Sequence, residues 1–122
     1  GAGAFEVAAH VHLEEYKKSV EGKARLGVEI FSKAMLVIPK TLIDNSGLDV
    51  QDKLLAVVAE QEKTKLPIGV NVATGDPTDP RTEGIWDNYC VKRQMLGVAT
   101  VLAEQLLLVD EVIRAGAQMS KG

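Results

Sequence analysis

The stretch NYCVKRQMLGVATVLAEQLLLVDEVIRA, residues 88–115, decides the fold class. It contains no proline, and Val91, Met95, Val98, Leu102, Leu106, Val109 and Ile113 recur at about 3.6 residues per turn throughout. A helix over that span is about 42 Å long. Between Met95 and Val109 the single charge is Glu104, and apolar side chains lie on every side. Such a helix is predicted to run through the middle of a packed structure and not along a surface. Its uncharged stretch over residues 95–103 falls well short of the roughly 20 residues that span a bilayer, so no membrane segment is expected.

Moving toward the N-terminus, Ile68, Val70 and Val72 alternate like a short strand. Thr74-Gly75-Asp76-Pro77 has turn chemistry, and Gly84-Ile85-Trp86 is the expected return strand of a hairpin over about 68–86. A helix over 49–65 is capped by Asp49, buries Val50, Leu54, Val57 and Val58, and is closed by Pro67. Over 22–46, Gly27, Ile30, Phe31, Ala34, Met35, Ile38 and Leu42 form one stripe. Pro39 inside that helix strands the carbonyl of Met35, which predicts a kink or break near Val37, and Asn45-Ser46-Gly47 is a left-handed stop. Over 4–18, Ala4, Val7, Ala8 and Val11 form the apolar side, and Glu6, His10, Glu14 and Lys17 the opposite one. The pairs of Glu14 with Lys17 and Lys18 read as solvated surface. The expected fold class is therefore mainly α: a helical bundle with one small β-hairpin.

The whole chain has 122 residues, with 14 Lys+Arg against 17 Asp+Glu and a net charge of −3. With 46% hydrophobic and 25% charged residues it has a globular composition, sized for one domain or part of one. A mildly acidic chain with five aromatics (Phe5, Tyr16, Phe31, Trp86 and Tyr89) lacks both a phosphate-neutralising patch and a stacking platform, so nucleic acid is not an expected partner. One cysteine, Cys90, rules out an intrachain disulfide and suits a reducing compartment, so a cytoplasmic location is expected.

Isolated features carry little chemistry. Gly1-Ala2-Gly3 before a helix permits close backbone approach to an anion, but the motif is much shorter than a phosphate-binding loop. Asp87 just before the long helix reads most simply as its N-cap. His10 and His12, two residues apart on a helix, point about 200° apart and cannot chelate one ion. Cys90 reads as a packing cysteine, and no metal or catalytic set is expected.

Five ordered segments change that reading. These are Gly1-Ala2-Gly3-Ala4-Phe5-Glu6; Asn45-Ser46-Gly47; Gly69-Val70-Asn71-Val72-Ala73-Thr74-Gly75; Gly84-Ile85-Trp86-Asp87-Asn88-Tyr89-Cys90-Val91-Lys92; and Leu107-Leu108-Val109-Asp110-Glu111-Val112-Ile113-Arg114-Ala115-Gly116. Together they resemble a group II chaperonin, the TCP-1 family of the eukaryotic cytosol, and the Trp86 to Lys92 string looks like its zeta-subunit branch. Most members have three glycines where this chain has Gly1-Ala2-Gly3. The resemblance implies that residues 1–122 are the C-terminal part of one equatorial domain, an incomplete domain that binds ATP or ADP. By position, it implies that the backbone of Ala2 and Gly3 faces the nucleotide and that Asn71 and Val72 flank the base. Asp87 would accept hydrogen bonds from the ribose hydroxyls, with Lys92 beside the nucleotide.

The resemblance also implies an ATP-dependent chaperone for cytosolic proteins such as actin and tubulin, with other chaperonin subunits in a double ring as partners. Unfolded proteins would be held by domains outside this chain. The family's Gly-Asp-Gly-Thr-Thr loop and its magnesium-binding and water-positioning aspartates are absent from these 122 residues. Magnesium would therefore be held elsewhere, and the segment alone is expected to be inactive as an ATPase. Its uncovered apolar helix predicts self-association. The alternative is a helical protein-protein interaction module in which Gly1-Ala2-Gly3 and Asp87 are ordinary helix-end residues.

Overall fold

Pro39 has no N–H to give, and the chain responds by dividing the 22–46 span into two helices. In the computed structural model, which describes residues 1–109, α2 (Lys23–Met35) and α3 (Val37–Asn45) meet at Leu36. The Leu36 N–H turns back to Lys33 O at 3.2 Å and the Lys40 N–H restarts the ladder on Leu36 O at 3.0 Å, leaving Pro39 buried in the first turn of α3, where a missing donor costs least. At the far end of α3, Gly47 adopts φ 71° and donates to Asp44 O at 2.9 Å, while Leu48 N donates to Ile43 O, so the last carbonyls are satisfied by the left-handed stop. α4 (Val50–Thr64) starts at Asp49, whose carboxylate accepts from Asp52 N at 2.9 Å. Before these lie α1 (Ala4–Tyr16) and a single 3-10 turn, Lys17–Ser19.

The fold is mainly α with one two-stranded antiparallel hairpin. β1 (Gly69–Val70) pairs with β2 (Pro77–Thr78), Gly69 opposite Thr78 and Val70 opposite Pro77. The return strand is thus not Gly84-Ile85-Trp86, as periodicity suggested. Asn71 closes the turn early: its N–H donates to Asp76 O at 3.0 Å, its carbonyl accepts from Gly75 N, and its side-chain Oδ1 accepts from Ala73 N at 2.9 Å and Thr74 N at 3.3 Å. Residues 80–85 then close a loop of their own, with Ile85 N on Pro80 O at 2.9 Å.

The chain divides into two compact units, Gly1–Trp86 and Asp87–Gly122. The first has its own core: Val7, Ile43, Leu54, Val57, Ile68 and Val70, contributed by α1, α3, α4 and the hairpin. Each fully buried aliphatic side chain contributes roughly 1.5–3 kcal/mol. α1 and α2 pack through polar groups instead. Ser32 is buried, donates from Oγ to Glu14 Oε1 at 2.8 Å, and lies 3.0 Å from His10 Nδ1, which is also 2.9 Å from Ser32 O. The side of α1 read as solvent-facing therefore contributes to an interface, and Glu6 on that side is fully buried. Lys17 and Ser32 together hold the Glu14 carboxyl below the usual carboxylate range. Conversely, Ile30 of the α2 stripe is 60% exposed, and of that stripe only Met35 is buried.

The second unit contains α5 (Tyr89–Leu107). No residue of α5 is buried, although its sequence is that of an enclosed helix. The expected continuation to Ala115, with Ile113 and the string to Gly116, lies outside the described residues.

Candidate functional site

The Gly1-Ala2-Gly3 segment is held in an unusual backbone state. Ala2 has φ 55° and Gly3 φ 75°, two successive left-handed residues at the start of α1. For Gly3 this is inexpensive; for Ala2 it costs about 1–2 kcal/mol. The conformation is held from three directions. Ala4 N donates to Gly1 O at 3.0 Å, Val7 N donates to Gly3 O at 3.0 Å, and Val70 N of β1 donates to Ala2 O at 2.9 Å. α1 has no side-chain cap, and the acidic Glu6 stands in its first turn near the positive end of the dipole.

The bond from Val70 brings the root of the hairpin against this loop. Asn71 follows immediately, with its side-chain oxygen committed to the turn, and Val72 is 55% exposed at the turn, presenting branched methyls suited to a flat apolar surface. Lys53 of α4 donates to Asp76 Oδ1 at 2.9 Å and fastens the far side of the same turn. Among the residues singled out from sequence, Ala2, Gly3, Asn71 and Val72 are thus brought into one neighbourhood of the first unit.

Asp87 and Lys92 form a pair within the second unit. Lys92 Nζ lies 3.0 Å from Asp87 Oδ2, and the ammonium holds the Asp87 carboxyl below the usual carboxylate range. Asp87 is not the N-cap. That role falls to Asn88, whose Oδ1 accepts from Cys90 N at 2.9 Å. The sequence signal was available: asparagine and aspartate are near-equal caps, and the one that occupies the cap position takes the role. Asp87 is left as a half-exposed carboxylate at the start of a helix, a group able to accept two hydrogen bonds from vicinal hydroxyls.

Elsewhere, His10 belongs to the α1–α2 network and His12 stacks on Tyr16 with ring centroids 6.4 Å apart. Among the described residues there is no group of three or more His, Cys, Asp or Glu able to hold a metal ion, and no helix long and apolar enough to cross a membrane. Cys90 is exposed, which corrects its reading as a packing residue. The Ser32 network was missed in the sequence. Its signal was a lone hydroxyl beside the apolar stripe of α2, facing a histidine and a glutamate four residues apart on α1.

Comparison with known proteins places these features in context. The TCP-1/cpn60 chaperonin family profile matches residues 1–117. Human T-complex protein 1 subunit zeta-2 is 50% identical over 121 residues, which is 99% of this chain and 23% of the human protein. The mouse zeta-2 subunit is 47% identical over 116 residues, covering 95% of this chain and 22% of its own. The chain therefore spans about a quarter of the length of these relatives. Among solved structures, the open-state monomer of a group II chaperonin from Methanococcoides burtonii superposes with a TM-score of 0.83 at 30% identity, over 89% of this chain and 27% of that one.

Proposed function

Because the chain belongs to the TCP-1/cpn60 chaperonin family, we propose that it forms the C-terminal segment of the equatorial domain of an ATP-dependent cytosolic folding machine. In this reading the longer subunit assembles with other chaperonin subunits into a double ring and assists folding of proteins such as actin and tubulin. The segment supplies the ribose and base side of the ATP or ADP site. The backbone of Ala2 and Gly3 faces the nucleotide, Asn71 and Val72 flank the base, Asp87 accepts from the ribose hydroxyls, and Lys92 stands beside the nucleotide.

The observation that carries the reading is the family match across residues 1–117. Local chemistry supports it. Two left-handed residues open α1 without a side-chain cap, Val72 offers exposed methyls for a base, and the Asp87 carboxyl, held below the usual carboxylate range by Lys92, is not used as a cap. The donor set suits a sugar and a base. It holds no carboxylate cluster for magnesium among the described residues, so in this reading the metal and the phosphates are bound by other parts of the subunit.

Two measurements test this division of labour. Calorimetric titration of the 122-residue segment should give an ATP dissociation constant weaker than roughly 1 mM, since the phosphate and metal contacts lie elsewhere, whereas the assembled full-length subunit should bind ATP and turn it over. Micromolar binding by the segment, or an assembled subunit indifferent to ATP, would contradict the reading. The same division predicts self-association of the segment. Leu102 and Leu106 of α5 are 54% and 71% exposed, and removing such area from water yields roughly 25 cal/mol per Å². Sedimentation equilibrium at tens of micromolar should show species heavier than 13.1 kDa, and a clean monomer would disprove this part.

A further inference from the structure

The turn at residues 71–76, which carries Val72, is closed by its own atoms. The Asn71 N–H donates to Asp76 O at 3.0 Å and the Gly75 N–H to Asn71 O at 2.6 Å. Asn71 Oδ1 accepts from the Ala73 and Thr74 N–H groups, and Thr74 Oγ1 accepts from Asp76 N at 3.3 Å. Bonds of this kind fix the shape of the turn but not its tilt on the two-residue strands beneath it. Among the described residues, one side chain from another element bonds to the turn: Lys53 of α4, whose Nζ donates to Asp76 Oδ1 at 2.9 Å. The ammonium, with a lesser contribution from Thr74, holds the Asp76 carboxyl below the usual carboxylate range.

Gly75 opens the path that Lys53 takes. It is buried, at φ 76°, and a Cβ there would lie 2.8 Å from Leu48 Cδ1, 2.9 Å from Lys53 Cδ and 3.0 Å from Lys53 Cγ. The lysine stem thus occupies the room that a side chain at 75 would take, beside Leu48, which packs on the core. We propose that Lys53 and Gly75 are positioning residues for the base: the lysine, laid across the bare glycine onto Asp76, latches the turn to α4 and fixes where Val72 stands. The inference rests on the assignment of Val72 to the base side of the nucleotide. Lys53 and Asp76 are 31% and 63% exposed, so their pair adds little to stability. It acts on binding instead, because a wall that is in place for only a fraction of the time lowers the apparent affinity by that fraction.

The test is calorimetry on the assembled full-length subunit with ADP and with ribose 5-diphosphate, which is ADP without its base. In Lys53→Met, which keeps most of the stem and loses the charge, ADP affinity should fall about three- to fivefold, the ceiling set by a half-exposed ion pair, while ribose 5-diphosphate changes by less than about 1.5-fold. Lys53→Arg keeps a cation within reach of Asp76 and should hold the ratio of the two affinities close to that of the unaltered subunit. Gly75→Ala should lower the ratio at least as far as Lys53→Met, and adding Lys53→Met to it should lower it little further, since both changes undo one latch. Equal weakening of both ligands or an unchanged ratio in Lys53→Met overturns the positioning role, and so does a ratio in Lys53→Arg as low as in Lys53→Met. If Gly75→Ala does not fold, the two variants at the half-exposed Lys53 decide alone. Val72→Gly, measured in parallel, should lower the ratio by itself. If it does not, the assignment of the turn to the base fails and the proposal with it, an outcome distinct from an unchanged ratio in Lys53→Met alone.

Discussion

Asp87→Ala in the assembled full-length subunit is expected to weaken nucleotide binding by about 3 kcal/mol or more, roughly a hundredfold, because two charge-assisted hydrogen bonds of about 1.5–3 kcal/mol each are lost. The prediction is sharp because the fold separates binding from helix stability at this position. Asn88 caps α5 through Cys90 N, so removing the neighbouring carboxylate leaves the first turn of the helix satisfied, and the thermal midpoint should stay within the range of an ordinary surface change. Asp87→Asn, which keeps the shape and one acceptor, should fall between the two. Lys92→Met should also weaken binding, and less than additively with Asp87→Ala, since Lys92 lies 3.0 Å from the Asp87 carboxylate and the two act as one paired unit. Unchanged ATP affinity in Asp87→Ala would reduce the carboxylate to a surface partner of Lys92.

Ile43→Ala should destabilise the protein by about 3–5 kcal/mol, the upper part of the range for truncating a buried aliphatic side chain. Ile43 is fully buried on α3, in the cluster that joins α1, α4 and the hairpin. A cavity there is bordered by Val57 and Val70, and β1 carries Val70 against the Ala2 loop. Ile30→Ala on α2 is the control. Its side chain is 60% exposed, so its truncation should change stability by no more than about 0.5 kcal/mol. Urea unfolding midpoints compare the two directly, and equal shifts would mean that the α2 stripe, not Ile43, borders the core.

These two isoleucines mark where reading residues in order stops. Ile30 belongs to the apolar stripe read over 22–46 and is exposed, whereas Ile43 lies outside that stripe and is fully buried. Periodicity says that a helix has an apolar face, and a neighbour decides whether that face is covered. On α2 the covered side carries Ser32 and Met35, because α1 presents His10 and Glu14 there and a hydroxyl answers both. Glu6 lies on the polar side of α1 and is nevertheless fully buried, for the same reason.

The local chemistry of the chain was legible without any fold. A ring nitrogen without hydrogen cannot continue the interior of a helix, and Pro39 ends α2 so that the chain restarts at Leu36; a glycine after Asn45-Ser46 stops α3; a carboxylate at Asp49 starts α4. The order of the five family segments is likewise a property of the sequence, and the family follows from it. Contacts between segments distant in sequence were not legible. Val70 donating to Ala2 links residues 68 positions apart, and nothing in the glycine at 69 distinguishes it from an ordinary turn residue until the Ala2 carbonyl lies against it. The physical reason is one of range: caps, breaks and turns are satisfied within about four residues of backbone, whereas burial and close approach depend on which surface arrives from elsewhere in the chain.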